Sequence, residues 1–176
     1  MSYFNLYQTI NYNVNDTETI VGVDIHSSQK IKNIINSYKG ISYTPYIVRD
    51  NERPDQVAYE FYGNQDLDWI VLAANDIHNI YDEWPKGSET FINYIIEKYG
   101  SLATAQSTIK YYYNQYNDII DATTYTSLSP TNRSFETLYE YEYRMNINKS
   151  KIKLIRPELV GLIQTNLNSQ KIPFIG

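Results

Sequence analysis

Six consecutive residues, Trp69-Ile70-Val71-Leu72-Ala73-Ala74, carry no polar side chain. They follow the pair Gly63-Asn64, in which the glycine suits the C′ position of one helix and the asparagine the N-cap of the next. Asp66 and Asp68 then fall in the positive first turn of a helix running to about Asn75. A helix apolar on every face has to be covered on all sides, so part of its cover must come from the arms of the chain or from another chain.

The segments before this run are equally defined. Tyr43-Thr44-Pro45-Tyr46-Ile47-Val48 has strand composition, with Pro45 favouring an edge position, and the polar turn Arg49-Asp50-Asn51-Glu52 follows. Pro54 sits at a first helical position, and Val57, Ala58, Phe61 and Tyr62 share one face of the helix it opens. Upstream, Ile20 to Ile25 reads as a short strand and Lys30 to Tyr38 as a turn or two of helix.

Downstream, a polar connection from Asp76 to Gly87 leads into a helix capped by Ser88, with Phe91, Ile92, Ile95, Ile96 and Tyr99 as its stripe and Gly100 as its stop. Leu102 to Gln106 adds one more turn and Ile109 to Tyr113 a strand. Asn117 to Arg133, rich in Asp, Thr, Ser, Asn and Pro, is expected to be a long exposed loop. Phe135 to Asn148 carries both an alternation of Tyr139, Tyr141 and Tyr143 and a helical spacing of Glu136, Glu140 and Arg144, and is read as helix. Lys151 to Arg156 alternates as a half-buried strand, and Pro157 opens a last helix with Leu159, Val160, Ile163 and Leu167. Ile172-Pro173-Phe174-Ile175 is an apolar tail of the kind that docks on a partner. The reading is an α+β fold: an arm over residues 1–40, a small β-α-α-β core with a following helix over 41–100, and an extension over 101–176 with a strand, an exposed loop and terminal helices.

Few reaction chemistries find a foothold. With no cysteine there is no thiolate zinc site, disulfide or cysteine nucleophile, and His26 and His78 stand far apart with no second ligand at metal spacing. The seven glycines sit singly at helix ends and turns, forming neither a phosphate loop nor a nucleophile elbow. A glycosidase needs two carboxylates at a set separation, whereas Asp66 and Asp68 are explained by a helix dipole, and Asp76, Asp82 and Glu83 lie in a polar connection. A net charge of -5 argues against nucleic acid. No stretch approaches the roughly 18 apolar residues of a membrane span and no signal peptide is evident, so a soluble protein made in a cytoplasm is expected. Tyrosine makes up 19 of 176 residues, which fits both half-buried protein interfaces and an AT-rich coding sequence, and so decides nothing alone.

The order strand, turn, helix, Gly-Asn corner and apolar helix ending in Asn75 resembles a LysM module. The wording carrying it is Tyr46-Ile47, Arg53-Pro54, Ala58, Phe61-Tyr62-Gly63-Asn64, Leu67, Trp69 and Leu72-Ala73-Ala74-Asn75. Arg53-Pro54-Asp55-Gln56-Val57-Ala58, with Leu67-Asp68-Trp69 and Trp84-Pro85 downstream, is narrower. It is similar to the baseplate wedge family of T-even-type contractile-tailed phages, whose LysM-like domain clamps neighbouring wedges. The start Tyr3-Phe4 with Ile10-Asn11-Tyr12, and Leu154-Ile155-Arg156-Pro157 with its apolar helix, resemble the same family.

The resemblance implies a structural subunit of a phage tail baseplate wedge, located in the virion. It implies other wedge proteins and neighbouring wedges in a six-fold ring as partners, and no catalysis, cofactor, metal, nucleic acid, membrane or small-molecule substrate. A LysM-type peptidoglycan-binding module is the alternative, although a single copy with long arms departs from the repeated, exported modules that bind sugar. A phage-unrelated scaffold reusing the motif is a third reading. Matching the ligand-facing loops onto this chain points to Asp50, Asn51 and Arg53 on one loop and Asn75, Asp76 and His78 on the other. Trp84 beside Pro85 and Phe174 in the tail complete the candidate interface, while Trp69 is assigned to the core.

Overall fold

The computed structural model describes residues 9–14, 18–23, 33, 37 and 43–169, with side chains described at 33, 37 and 43–165. The fold is α+β and divides into two compact units. One comprises residues 1–48, 52–83 and 151–176, the other residues 49–51 and 84–150.

In the first unit, β1 (Thr9–Val14) and β2 (Glu18–Val23) form an antiparallel hairpin in which Thr9 faces Val23 and Val14 faces Glu18. The helical turn expected over Lys30 to Tyr38 lies outside the described residues, except for Asn33 and Ser37, which are helical.

The core of this unit has a β-α-α-β order. Strand β3 (Tyr43–Ile47) leads to α1 (Pro54–Tyr62), a 3-10 turn over Gln65–Leu67 and α2 (Asp68–Ala74). The closing strand, β7 (Lys151–Ile155), pairs antiparallel with β3, Tyr43 opposite Ile155 and Ile47 opposite Lys151. Alternation along β7 is clean, with Ile152 and Leu154 buried and Lys151 and Lys153 exposed. A four-residue helix α3 (Ile80–Glu83) follows α2, and α8 (Pro157–Ser169) follows β7 and buries Val160 and Ile163.

Local chemistry explains the corner between the two central helices. Gly63 adopts φ 72° and its N–H reaches Tyr59 O at 2.9 Å, a left-handed C′ position. Asn64 Oδ1 accepts the Asp66 N–H at 3.0 Å and so caps the 3-10 turn. Most of the all-apolar helix α2 is covered within its own unit: Trp69, Ile70, Val71 and Ala74 are buried, α1 and β7 pack on it, and Leu72 and Ala73 are half-buried.

The second unit builds its apolar centre from α4 (Ser88–Tyr99), α5 (Leu102–Ser107) and α7 (Leu138–Ser150). Phe91, Ile95 and Ala105 are buried, and Tyr94, Tyr99, Leu102, Leu138 and Tyr139 pack on them. Of the expected α4 stripe, Ile92 and Ile96 face outward. A three-stranded antiparallel sheet, ordered β5-β4-β6, joins β5 (Ile119–Ile120), β4 (Ile109–Asn114) and β6 (Arg133–Thr137).

The long exposed loop expected between Asn117 and Arg133 is not what forms. Ile119 and Ile120 pair with Tyr113 and Tyr112. Asp121 Oδ1 then accepts the Thr123 and Thr124 N–H groups, capping α6 (Ala122–Ser127), and a 3-10 turn covers Pro130–Asn132. Residues such as Asp and Thr favour caps as much as loops, and the Tyr125 ring, 4.5 Å from that of Tyr112, settles the helix on the sheet.

The helix expected from Phe135 begins at Leu138 instead. Thr137 Oγ1 accepts the Glu140 N–H at 3.2 Å, and Glu140 Oε2 accepts the Thr137 N–H at 2.8 Å, a capping box that separates β6 from α7. The alternating tyrosines serve two sides of α7: Tyr139 and Tyr143 both meet the Phe91 ring edge-on, while Tyr141 meets Tyr111 of β4.

Candidate functional site

The residues singled out from the two loops turn out to have distinct local tasks. Asp50 and Asn51 belong to the second unit, and Arg53, Asn75, Asp76 and His78 to the first.

Asp50 works at the start of α4. Its Oδ1 accepts the Ser88 N–H at 2.7 Å and its Oδ2 the Ser88 hydroxyl at 2.9 Å. Ser88 is therefore not the cap; Gly87 holds that position without a side chain, and the neighbouring carboxylate answers the positive helix end. Asn51, at φ 59°, lies so close that a Cβ on Gly87 would fall 1.9 Å from Asn51 Oδ1.

Asn75 has a structural job at the end of α2. Its Nδ2 donates to Val71 O at 2.8 Å and to Lys153 O at 2.9 Å, while its Oδ1 accepts the Lys153 N–H at 2.8 Å. The side-chain amide thus acts as one peptide unit of an additional strand along the outer side of β7. Lys153 turns both backbone groups to this amide, so Pro45, its register partner on β3, loses nothing by lacking an N–H.

Arg53, Asp76 and His78 are exposed. Arg53 pairs with Asp55 at 3.1 Å, and its backbone N–H donates to Gln56 Oε1, which with Pro54 starts α1. Asp76 takes φ 63°, a conformation short polar side chains tolerate, and its carboxylate lies 3.3 Å from His78 Nε2. Glu83 Oε2 accepts the N–H groups of both His78 and Asn79, which hold its carboxyl below the usual range.

Trp84 is a correction. It is only 6% exposed and belongs to the interior, as Trp69 does. A neighbouring proline says little about exposure, whereas an indole gains much by leaving water. Phe174 lies outside the described residues.

Composition did not point to two further features of the second unit. Glu142, only 8% exposed, accepts from Lys98 Nζ at 2.9 Å, Tyr99 Oη at 2.7 Å and Tyr94 Oη at 3.1 Å, tying α7 to α4. Burial pushes its carboxyl up, but the Lys98 and tyrosine hydrogen bonds together bring it below the ordinary value. Burial and the bond to Glu142 push the Tyr99 phenol up to about 12.

The other feature is an open cavity of about 590 Å³ lined by Tyr113, Asn117, Ser134, Phe135, Glu136, Glu140 and Arg144. Its charged groups serve the chain itself. Arg144 grips Glu136 through Nε at 2.7 Å and Nη2 at 3.0 Å, Tyr113 donates to Glu136, and Glu140 closes the capping box. Among the described residues no group of three or more His, Asp or Glu is arranged to hold a metal ion, and no helix is long and apolar enough to cross a membrane.

Residues 2–132 match the family described as base plate wedge protein 53. The chain belongs to that family. The match takes in both central helices of the β-α-α-β unit and ends just before β6, so β6, α7, β7 and α8 lie beyond it. A curated relative, the baseplate wedge protein gp53 of Enterobacteria phage T4, is 29% identical over 110 residues, 61% of this chain and 52% of the relative. The chain therefore spans about half the length of the curated relative it matches. Within the base plate wedge protein 53 family, this chain's best-defined local structures are caps, clamps and packed aromatics.

Proposed function

We propose that the chain is a structural subunit of a phage tail baseplate wedge, located in the virion, acting through buried contact area without catalysing a reaction. Membership of the base plate wedge protein 53 family is the observation that carries this reading. The distribution of exposed apolar residues supports it. Ile47, Tyr59 and Tyr81 in the first unit and Tyr116, Ile119 and Phe135 in the second are each at least half exposed, the kind of surface that assembly covers.

Its partners in this reading are other wedge subunits and, across a six-fold ring, neighbouring wedges. Arg53, Asp76 and His78 are the exposed loop residues that such contacts would cover, whereas Asp50 and Asn75 act within the chain. The β-α-α-β unit serves as the LysM-like element of the subunit.

Quantitative mass spectrometry of purified tails tests the proposal. The chain is expected at the level of the other baseplate subunits. Its absence from particles, together with retention on cell-wall sacculi, would replace the wedge reading with the peptidoglycan-binding one.

A further inference from the structure

The two-stranded sheet of the first unit has two unlike edges. Lys153 turns its N–H and C=O away from β3 to the Asn75 amide, and Ile155, two positions on, turns its C=O the same way to the Tyr62 hydroxyl at 2.9 Å. Side chains from the ends of α2 and α1 thus occupy the outer edge of β7.

The same alternation fixes the other edge. Because Lys153 faces Pro45 without exchanging backbone hydrogen bonds with it, the bonded pairs are Thr44 with Leu154 and Tyr46 with Ile152. Tyr43, Pro45 and Ile47 therefore turn their backbone groups outward. Among the described residues no strand lies along that side, Pro45 is exposed and Ile47 is 70% exposed.

An open edge of this kind is a template on which another chain can add a strand. The segment Tyr43-Thr44-Pro45-Tyr46-Ile47-Val48 carries no charge and, Pro45 apart, only aromatic and β-branched residues, the composition that pairs strand to strand. Pro45 stands in the middle of the three outward positions and has no N–H to offer. A strand laid along β3 would bury a carbonyl opposite Pro45 with no donor to meet it, which costs more than the flanking bonds to Tyr43 and Ile47 return.

We propose that Pro45 closes the exposed edge of β3 against strand addition, so that copies of this chain do not pair through it. The inference goes beyond the wedge reading and stands without it.

The test restores the missing donor. Pro45→Thr and Pro45→Ala both supply an N–H, the first with high and the second with low strand propensity. A third variant joins Pro45→Thr to Ile47→Lys, which sets a charge on the reopened edge. Each full-length chain is compared with the parent at low and high concentration by sedimentation velocity and by amide hydrogen exchange followed by NMR. Melting at the parent temperature establishes that a variant folds.

Pro45→Thr is expected to self-associate roughly tenfold more tightly than the parent chain, the effect of supplying a donor to one unmatched buried carbonyl. The amides at positions 43, 45 and 47 should gain protection as concentration rises. Pro45→Ala should move the same way by less, and the added Ile47→Lys should cancel the gain. In the parent chain the Tyr43 and Ile47 amides should exchange at a rate independent of concentration, a readout that needs no variant. Unchanged sedimentation of both single variants, association that leaves those three amides unprotected, or concentration-dependent protection of Tyr43 and Ile47 in the parent chain would overturn the proposal.

Discussion

Replacing Asn75 with alanine removes three hydrogen bonds at once, to Val71 O, Lys153 O and the Lys153 N–H. A hydrogen bond contributes about 0.5–1.5 kcal/mol net, and the two bonds to Lys153 are solvent-exposed and can be replaced by water. The sum is therefore set near the low end, at about 2 kcal/mol. For a chain of this size each kcal/mol moves the melting temperature by about 2–4 °C, so Asn75→Ala is expected to melt about 4–8 °C lower.

Hydrogen exchange gives the sharper readout, because the Lys153 amide loses its acceptor. Its protection should fall more than that of the neighbouring β7 amides. Asn75→Asp keeps the shape and the acceptor but loses both donors and sets a carboxylate against two carbonyl oxygens. At neutral pH it should destabilise at least as much as alanine, and it should recover partly on acidification, when the protonated acid can donate one bond. A melting shift below about 1 °C in Asn75→Ala, with Lys153 protection unchanged, would refute the account of Asn75 as a surrogate strand.

Three further outcomes follow from the second unit. Glu142→Gln removes the carboxylate shared by Lys98, Tyr94 and Tyr99 and should cost about 1–3 kcal/mol in urea unfolding, and Tyr99→Phe should cost less. Bonds from the Thr124 hydroxyl and from the Thr124 and Thr123 amides hold the Asp121 carboxyl at about 2, below its ordinary 3.8. Since the folded value is depressed, its support for α6 is complete above the ordinary value and is lost as pH falls from there through about 2. A titration of the Thr123 and Thr124 amide shifts by NMR should show that midpoint. Gly87→Ala should lower the melting temperature by displacing Asn51, and pairing it with Asn51→Gly should recover most of the loss, as a thermal double-mutant cycle would show.

What could be read from the residues alone was local. Pro54 at a helix start, Gly63 at φ 72°, Asn64 as a cap and the burial of Trp69, Ile70, Val71 and Ala74 all follow from chemistry within a few positions. The alternation of β7 also survived, since one face of a strand must leave water whatever it packs against. The central family wording was legible for the same reason, since most of it lies between Arg53 and Asn75.

The boundary at Thr137 could also have been found, because Thr137-Leu138-Tyr139-Glu140 has the spacing of a capping box. The tertiary structure decided the rest. Nothing near Asn75 in the chain announces Lys153, 78 positions away, and nothing in Glu142 announces Lys98, Tyr94 and Tyr99. Whether Asp50 faces solvent or a helix end, and whether Trp84 is surface or interior, depended on which segments the fold brought beside them. A side chain's type sets what it can bond to, but its partner is chosen by chain closure over long separations, which local propensity does not encode.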